Sequence, residues 1–118
     1  MSKKEEALQM AKFWLEDLRR GGGAPDIMLK YFRKALKEAG CTVEDIGTSE
    51  QELAQLLLKG FKDEARKHLD VLRKGKLRPK MREIFVICIH RAVAKAGCTL
   101  EDVGTNEEEL QKLLRTQR

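Results

Sequence analysis

Apolar residues recur at intervals of three and four along most of the chain, which is the period of an amphipathic helix. The first series is Leu8, Ala11, Leu15 and Leu18, with Trp14 beside it. A broader stripe extends from Ile27 to Ala39, preceded by Pro25 and followed by Gly40. Proline is tolerated in the first turn of a helix, and glycine often ends one. The pattern therefore predicts two helices before residue 41.

A third apolar series continues in phase through Leu53, Leu56, Leu57, Phe61, Ala65, Leu69 and Leu72. Gly60 lies inside this series, and one interior glycine destabilises a helix by about 1 kcal/mol without preventing it. We therefore predict one long helix over residues 49–74, with a possible bend at Gly60.

The segment Ile84–Ile89 is continuously apolar and taken alone favours a strand. Ala92, Val93 and Ala96 continue a helical period beyond it, however. A helix that is apolar on nearly all sides is usually buried. We predict a central, buried helix over residues 80–96.

Two segments of the chain are closely similar. Residues 39–57 read AGCTVEDIGTSEQELAQLL and residues 96–114 read AGCTLEDVGTNEEELQKLL, identical at 13 of 19 positions. A weaker match upstream pairs Arg19 with Arg73 and Pro25 with Pro79, at an offset of 54 rather than 57. The chain therefore contains two units of about 55 residues, within the range of known repeat lengths.

Each repeated segment contains two potential capping boxes, which are sequences that start helices. The four boxes are Thr42 with Asp45, Thr48 with Gln51, Thr99 with Asp102, and Thr105 with Glu108. Together these patterns predict an all-α fold: a compact bundle of about five main helices, with a short helical turn in each repeat loop. We expect one domain over residues 1–118, with pseudo-twofold symmetry between repeats at about 4–58 and 59–116.

The length and composition of the chain restrict its expected cellular location. The chain has 118 residues, and its longest apolar run, of six, is far shorter than a membrane span. Three cysteines are too few for a disulfide scaffold, which favours a reducing, cytoplasmic location. The regular caps and repeats are typical of designed helical proteins, whereas the cysteines and uneven charge are more typical of natural ones. The sequence is compatible with either origin.

The positive charge is concentrated in the second half of the chain. Residues 1–57 contain nine basic and ten acidic residues, whereas residues 58–118 contain 15 and nine. Between residues 73 and 82 there are six basic residues and no acidic one: Arg73, Lys74, Lys76, Arg78, Lys80 and Arg82. We call this segment the basic junction. Such a cluster predicts contacts with nucleic-acid phosphates, although basic residues also cap the carboxyl end of a helix.

This nucleic-acid hypothesis requires the basic residues of Lys59–Arg82, together with Arg91 and Lys95, to converge on one face. A helix-turn-helix site over residues 35–57 or 92–114 is disfavoured, because its second helix would open with glutamates facing phosphates. The glycine run at residues 21–23 resembles neither a P-loop nor a dinucleotide-binding fingerprint.

No set of residues predicts catalysis or metal binding. The acids around Glu44 and Glu101 do not follow the EF-hand spacing, and acids are common in the first turns of helices. No cysteine and histidine set has zinc-ligand spacing. Cys41 and Cys98 occupy equivalent positions, but the sequence does not fix their separation. We expect neither an enzyme nor a bound cofactor.

The remaining hypothesis is an interaction module. Leu53–Leu57 and Leu110–Leu114 both have the form LxxLL, which can dock in a partner's groove but also suits core packing. Because the helical unit is duplicated and no reaction site is evident, we predict a non-catalytic protein-interaction or assembly module, which binds a protein partner or a second copy of itself. The alternative is a nucleic-acid-binding module that uses the basic junction.

Overall fold

The computed structural model describes residues 2–21 and 24–115. Its five α-helices are α1 (Lys3–Arg20), α2 (Pro25–Ala39), α3 (Glu50–Arg73), α4 (Pro79–Ala96) and α5 (Glu107–Arg115). Short 3-10 turns at Glu44–Ile46 and Glu101–Val103 lie in the two repeat loops. No strand occurs in the part of the chain described, so the predicted all-α fold, with five helices and a helical turn per loop, is confirmed. Gly22, Gly23 and Thr116, within segments discussed above, lie outside the described residues.

The chain divides into two compact units, Met1–Gly60 and Phe61–Arg118. Unit 1 contains α1, α2 and the first part of α3, and unit 2 contains the rest of α3 with α4 and α5. The single domain and the pseudo-twofold symmetry stay predictions.

The core of unit 1 forms where the apolar stripes of its helices meet. Its buried members are Ala11, Leu15, Leu18, Met28, Phe32, Ala35, Leu36, Val43 and Leu53. Phe32 and Leu53 have nearly all of their surface removed from solvent. The first leucine of the first LxxLL sequence therefore packs in this core.

The core of unit 2 has the same kind of composition. Its buried members are Ala65, Leu69, Leu72, Val86, Ile89, Ala92, Val93, Leu100, Val103 and Leu110. The predicted burial of α4 on all sides is wrong, because Met81, Ile84 and Ile87 on this helix are exposed. The helices of unit 2 cover one side of α4, and these three residues lie on another.

The helix ends follow the predicted capping chemistry, with one change of register. Thr42 and Asp45 form a reciprocal box, in which each backbone N–H donates to the other side chain. Thr99 and Asp102 do the same. The caps of α3 and α5 lie one residue later than predicted: Ser49 accepts from the N–H of Glu52 at 3.1 Å, and Asn106 accepts from that of Glu109 at 2.7 Å.

This shift releases the preceding threonines for another contact. Thr48 and Thr105 are buried, and their hydroxyls donate to Glu52 and Glu109, each at 2.6 Å. The threonine side chain therefore holds the glutamate carboxylate at the start of each helix.

The same glutamates bind arginines from the second helix before their own. Arg19, at the end of α1, donates to both carboxylate oxygens of Glu52 at 2.8 and 2.7 Å and to the carbonyl of Gly47 at 3.0 Å. The hydrogen bonds from Arg19 and Thr48 lower the pKa of Glu52 to about 2. We call this contact the unit 1 bridge.

Unit 2 contains the corresponding bridge. Arg73, at the end of α3, donates to both oxygens of Glu109 at 2.9 and 2.8 Å and to the carbonyl of Gly104 at 2.7 Å. The hydrogen bond from Arg73, supported by one from Thr105, lowers the pKa of Glu109. Each bridge pairs a cation at a carboxyl-terminal helix end with an anion at an amino-terminal one, and both positions are favourable to the helix dipoles.

Helix α3 continues through Gly60 as a single α-helix. A Cβ added at Gly60 would lie 2.6 Å from Cβ of Pro25, which is closer than side chains approach in proteins. The glycine at this position therefore lets the start of α2 approach α3 within unit 1.

Candidate functional site

Two members of the basic junction, Arg73 and Arg82, form contacts within the folded unit 2. Arg73 forms the unit 2 bridge. Arg82 is only 5% exposed, and its guanidinium donates to the carbonyls of Leu77 at 2.8 Å and Leu114 at 3.3 Å. Both guanidinium groups already bind oxygen atoms of unit 2, so the free positive charge of the junction lies on its other members.

Lys74, Lys76, Arg78 and Lys80 are exposed. They lie where α3 ends and α4 begins, in a turn that contains Gly75 at a φ of 72°. Within the described residues, no acidic side chain forms an ion pair with any of the four. We call these four residues the free basic set.

The other basic residues of the predicted nucleic-acid face have varied surroundings. Arg66 pairs with Asp63 at 3.3 Å and donates to the carbonyl of Asp102. The ammonium of Lys95 lies 5.3 Å from the centre of the Phe61 ring, whereas Arg91 is exposed. The free basic set differs from these residues in that its four exposed members lie close together in the sequence.

A different surface feature, which the sequence interpretation missed, lies on unit 1. The Trp14 ring of α1 stacks on the Tyr31 ring of α2 at 5.5 Å, and Phe13 meets Trp14 edge to face at 5.3 Å. Met10 and Ile27 each lie one helical turn before Trp14 and Tyr31, on the same sides of their helices. We call these five residues the α1–α2 apolar face.

This face is open to solvent. Met10, Phe13, Ile27 and Tyr31 are each 47% to 53% exposed, and Trp14 is half-buried. The exposed part of the four amounts to on the order of 350 Å² of mostly apolar surface. The largest apolar patch of a typical monomer, often a functional one, is about 300–600 Å².

A helical-wheel projection of the sequence could have indicated this face. In α1 the buried positions are Ala7, Ala11, Leu15 and Leu18, and Phe13 lies away from all of them. In α2 the stripe from Ile27 to Ala39 is wider than one packed face requires. Ile27 and Tyr31 form its exposed margin.

The exposed α4 residues Met81, Ile84 and Ile87 form a second, smaller apolar surface, on unit 2. It contains no aromatic residue. Its members are spaced three apart, so they follow one side of the helix. We call them the α4 apolar strip.

Three acidic residues at the first repeat loop, Asp45, Glu50 and Glu52, have structural partners. Arg33 binds both oxygens of Glu50 at 2.9 and 2.7 Å, Asp45 caps its own turn, and Glu52 forms the unit 1 bridge. The Arg33–Glu50 pair borders a shallow depression of about 460 Å³ beside Cys41. Within the described residues, no three His, Cys, Asp or Glu side chains are grouped closely enough to hold a metal ion.

The thiols and imidazoles are held separately. Cys41, Cys88 and Cys98 are free and half-buried. The His68 ring contacts the carbonyl of Glu64 at 2.7 Å and packs edge to face on Phe85 at 5.0 Å. His90 lies 3.4 Å from a carboxylate oxygen of Glu107. In these contacts, neither histidine forms a hydrogen bond with a side chain that could act as a nucleophile.

No protein-family model matches the chain, and searches of curated proteins and of solved structures found no similar protein. None of the helices in the part of the chain described combines the length and apolar character needed to cross a membrane.

Proposed function

We propose that this chain is a non-catalytic helical module for protein interaction or assembly, and that it binds through the α1–α2 apolar face. The observation that carries the proposal is the contact of the Trp14 ring with the exposed rings of both Phe13 and Tyr31. Tryptophan and tyrosine are enriched among the residues that dominate binding energy at protein interfaces.

The stacking of these rings supports binding for a second reason. Trp14 and Tyr31 restrict each other's rotation, so less side-chain entropy is lost when a partner covers them. Lys3, Glu6, Asp17 and Arg20 share a side of α1 with Met10 and Phe13, at successive intervals of three and four. An apolar centre with charged residues around it is the usual arrangement of an interface.

Photo-crosslinking from this face tests the proposal. The amino acid p-benzoylphenylalanine is placed at Phe13 and, as a matched control, at exposed Lys12 on another side of the same helix, in cells that produce the chain. We expect defined adducts from position 13 that disappear in an Ile27→Lys background. Equal adducts from both positions, or none from position 13, would contradict the proposal.

A second candidate function is polyanion binding by the free basic set, which is supported by four exposed cations that form no ion pair with an acidic side chain in the described part of the chain. Its test is fluorescence anisotropy with labelled single- and double-stranded DNA and RNA at two salt concentrations. Changing the four residues to Gln should abolish salt-sensitive binding. The control, in which Lys3, Lys4, Lys12 and Lys34 are changed to Gln, removes the same charge from unit 1 and should retain it.

We retain the prediction of a cytoplasmic location, which the three free thiols support. Absence of disulfide-linked forms after extraction with thiol-blocking reagent would agree with it, and a Cys41 or Cys98 disulfide would contradict it.

A further inference from the structure

We infer that the partner of the α1–α2 apolar face is the same face of a second copy of this chain. This inference rests on the proposed function and specifies its partner. The resulting dimer would be isologous, with each copy contributing the same residues around a twofold axis, which is the commonest symmetry of soluble assemblies.

The area of the face fits such a dimer. A standard interface buries about 800 Å² on each partner, of which roughly 450 Å² is apolar. The exposed parts of Met10, Phe13, Ile27 and Tyr31 supply on the order of 350 Å², and Trp14 adds to this. One face on each copy therefore provides most of the apolar area that a standard interface needs.

The charge distribution favours self-association through unit 1 rather than unit 2. Residues 1–60 contain ten basic and ten acidic residues and are therefore neutral, whereas residues 61–118 contain 14 basic and nine acidic residues and carry +5. A contact between two copies of unit 1 brings together parts of the chain without net charge, and salt screens the more distant charge of unit 2. Two copies of unit 2 repel each other.

The composition of the two exposed apolar surfaces also favours self-association through unit 1. The α1–α2 apolar face contains three aromatic residues, whereas the α4 apolar strip contains Met81, Ile84 and Ile87. Aromatic residues supply more area for each immobilised side chain than aliphatic ones. The face on unit 1 is therefore the better anchor, and the strip on unit 2 provides a matched control surface.

Sedimentation velocity over a concentration series tests the inference. We expect a monomer–dimer equilibrium with a dissociation constant of roughly 1–100 µM. Phe13→Glu should raise that constant by about 10³-fold, because a residue of this type contributes about 30-fold and is lost from both copies. Ile27→Lys should act in the same direction.

The control variant is Ile87→Glu on unit 2. Ile87 is 51% exposed and Phe13 is 49% exposed, so neither substitution removes core packing, and circular dichroism should show both variants folded. Ile87→Glu should leave the dissociation constant unchanged. A dimer weakened by Ile87→Glu and not by Phe13→Glu would overturn the inference.

Trp14 provides an independent signal, because it is the only tryptophan and lies in the face. Its emission should shift to shorter wavelength as the protein concentration rises through the dissociation constant, and it should not shift in Phe13→Glu. An emission spectrum independent of concentration in a protein that sediments as a dimer would place the interface elsewhere.

The crosslinking experiment separates failure of this inference from failure of the proposed function. Adducts of twice 13.5 kDa from position 13 support the second copy as partner. Adducts of other masses alone, with a monomer in the centrifuge, overturn self-association and leave the interaction module supported. A monomer with no adduct at all refutes both.

Discussion

Replacing Arg82 tests whether a member of the basic junction serves the fold. The guanidinium lies in unit 2 between two carbonyls, that of Leu77 before α4 and that of Leu114 near the end of α5. The last four carbonyls of a helix lack partners within it. Arg82 therefore caps α5 from the side, and its positive charge lies at the negative end of the helix dipole.

The size of the effect follows from the geometry. A hydrogen bond from a charged donor contributes about 1.5–3 kcal/mol to stability. The 2.8 Å contact with Leu77 is of ordinary length, whereas the 3.3 Å contact with Leu114 is long and counts for less. Removing the charge also removes the unfavourable desolvation of a buried ion. We expect Arg82→Met, which keeps the apolar stem, to lower the free energy of unfolding by about 2 kcal/mol.

Urea unfolding followed by far-ultraviolet circular dichroism measures this change. Lys80→Met is the matched control, because Lys80 is exposed in the same turn of α4, and it should shift stability by less than about 0.5 kcal/mol. Arg82→Lys should fall between the two, because an ammonium keeps the charge but loses the guanidinium geometry. If Arg82→Met were as stable as Lys80→Met, the capping role of Arg82 would be refuted.

Three further perturbations test other parts of the two units. Gly60→Ala should lower the melting temperature, because the contact with Pro25 outweighs a gain in helix propensity of about 1 kcal/mol; a higher melting temperature would show that Pro25 moves aside. Glu52 and Glu109 have lowered pKa values when folded, so their contribution to stability is complete above their ordinary value of 4.5 and is lost as the pH falls below it, toward about 2 for Glu52. Changing both to Gln should therefore flatten the fall of melting temperature over that range, and an unchanged acid profile would contradict the bridges. Asn106→Ala should destabilise α5 by about 1 kcal/mol in urea unfolding, and a neutral result would show that the cap contributes nothing.

The helices could be predicted from the sequence because their determinants are local. Period, proline and glycine positions fix α2 to within its observed bounds, and apolar phase carries α3 through Gly60. The caps were predicted one residue early at Thr48, because threonine and serine are adjacent and either can cap a helix. Only the three-dimensional position of Arg19 shows why Thr48 is needed to hold Glu52.

The surfaces could not be predicted in the same way, because burial depends on which elements pack together. The sequence pattern alone suggested that Ile84 and Ile87 are buried and that Arg82 is exposed. In the structure Ile84 and Ile87 are exposed, and Arg82 is buried. A long arginine stem can pack among apolar residues while its head finds carbonyls, which composition does not reveal. The sequence pattern also did not reveal that the aromatic residues of α1 and α2 are exposed. A broad apolar stripe does not show which of its edges another helix covers.

The two bridges also restrict how each unit can open. Arg19 and Glu52 are 33 residues apart in the chain, and Arg73 and Glu109 are 36 apart, so each pair closes a loop that contains an entire helix, α2 or α4. Closing a loop lowers the conformational entropy available to the segment inside it. We therefore expect replacement of Glu52 or Glu109 by Gln to speed hydrogen exchange at the amides of α2 or α4, respectively. Each glutamate would in this way stabilise a helix to which it does not belong.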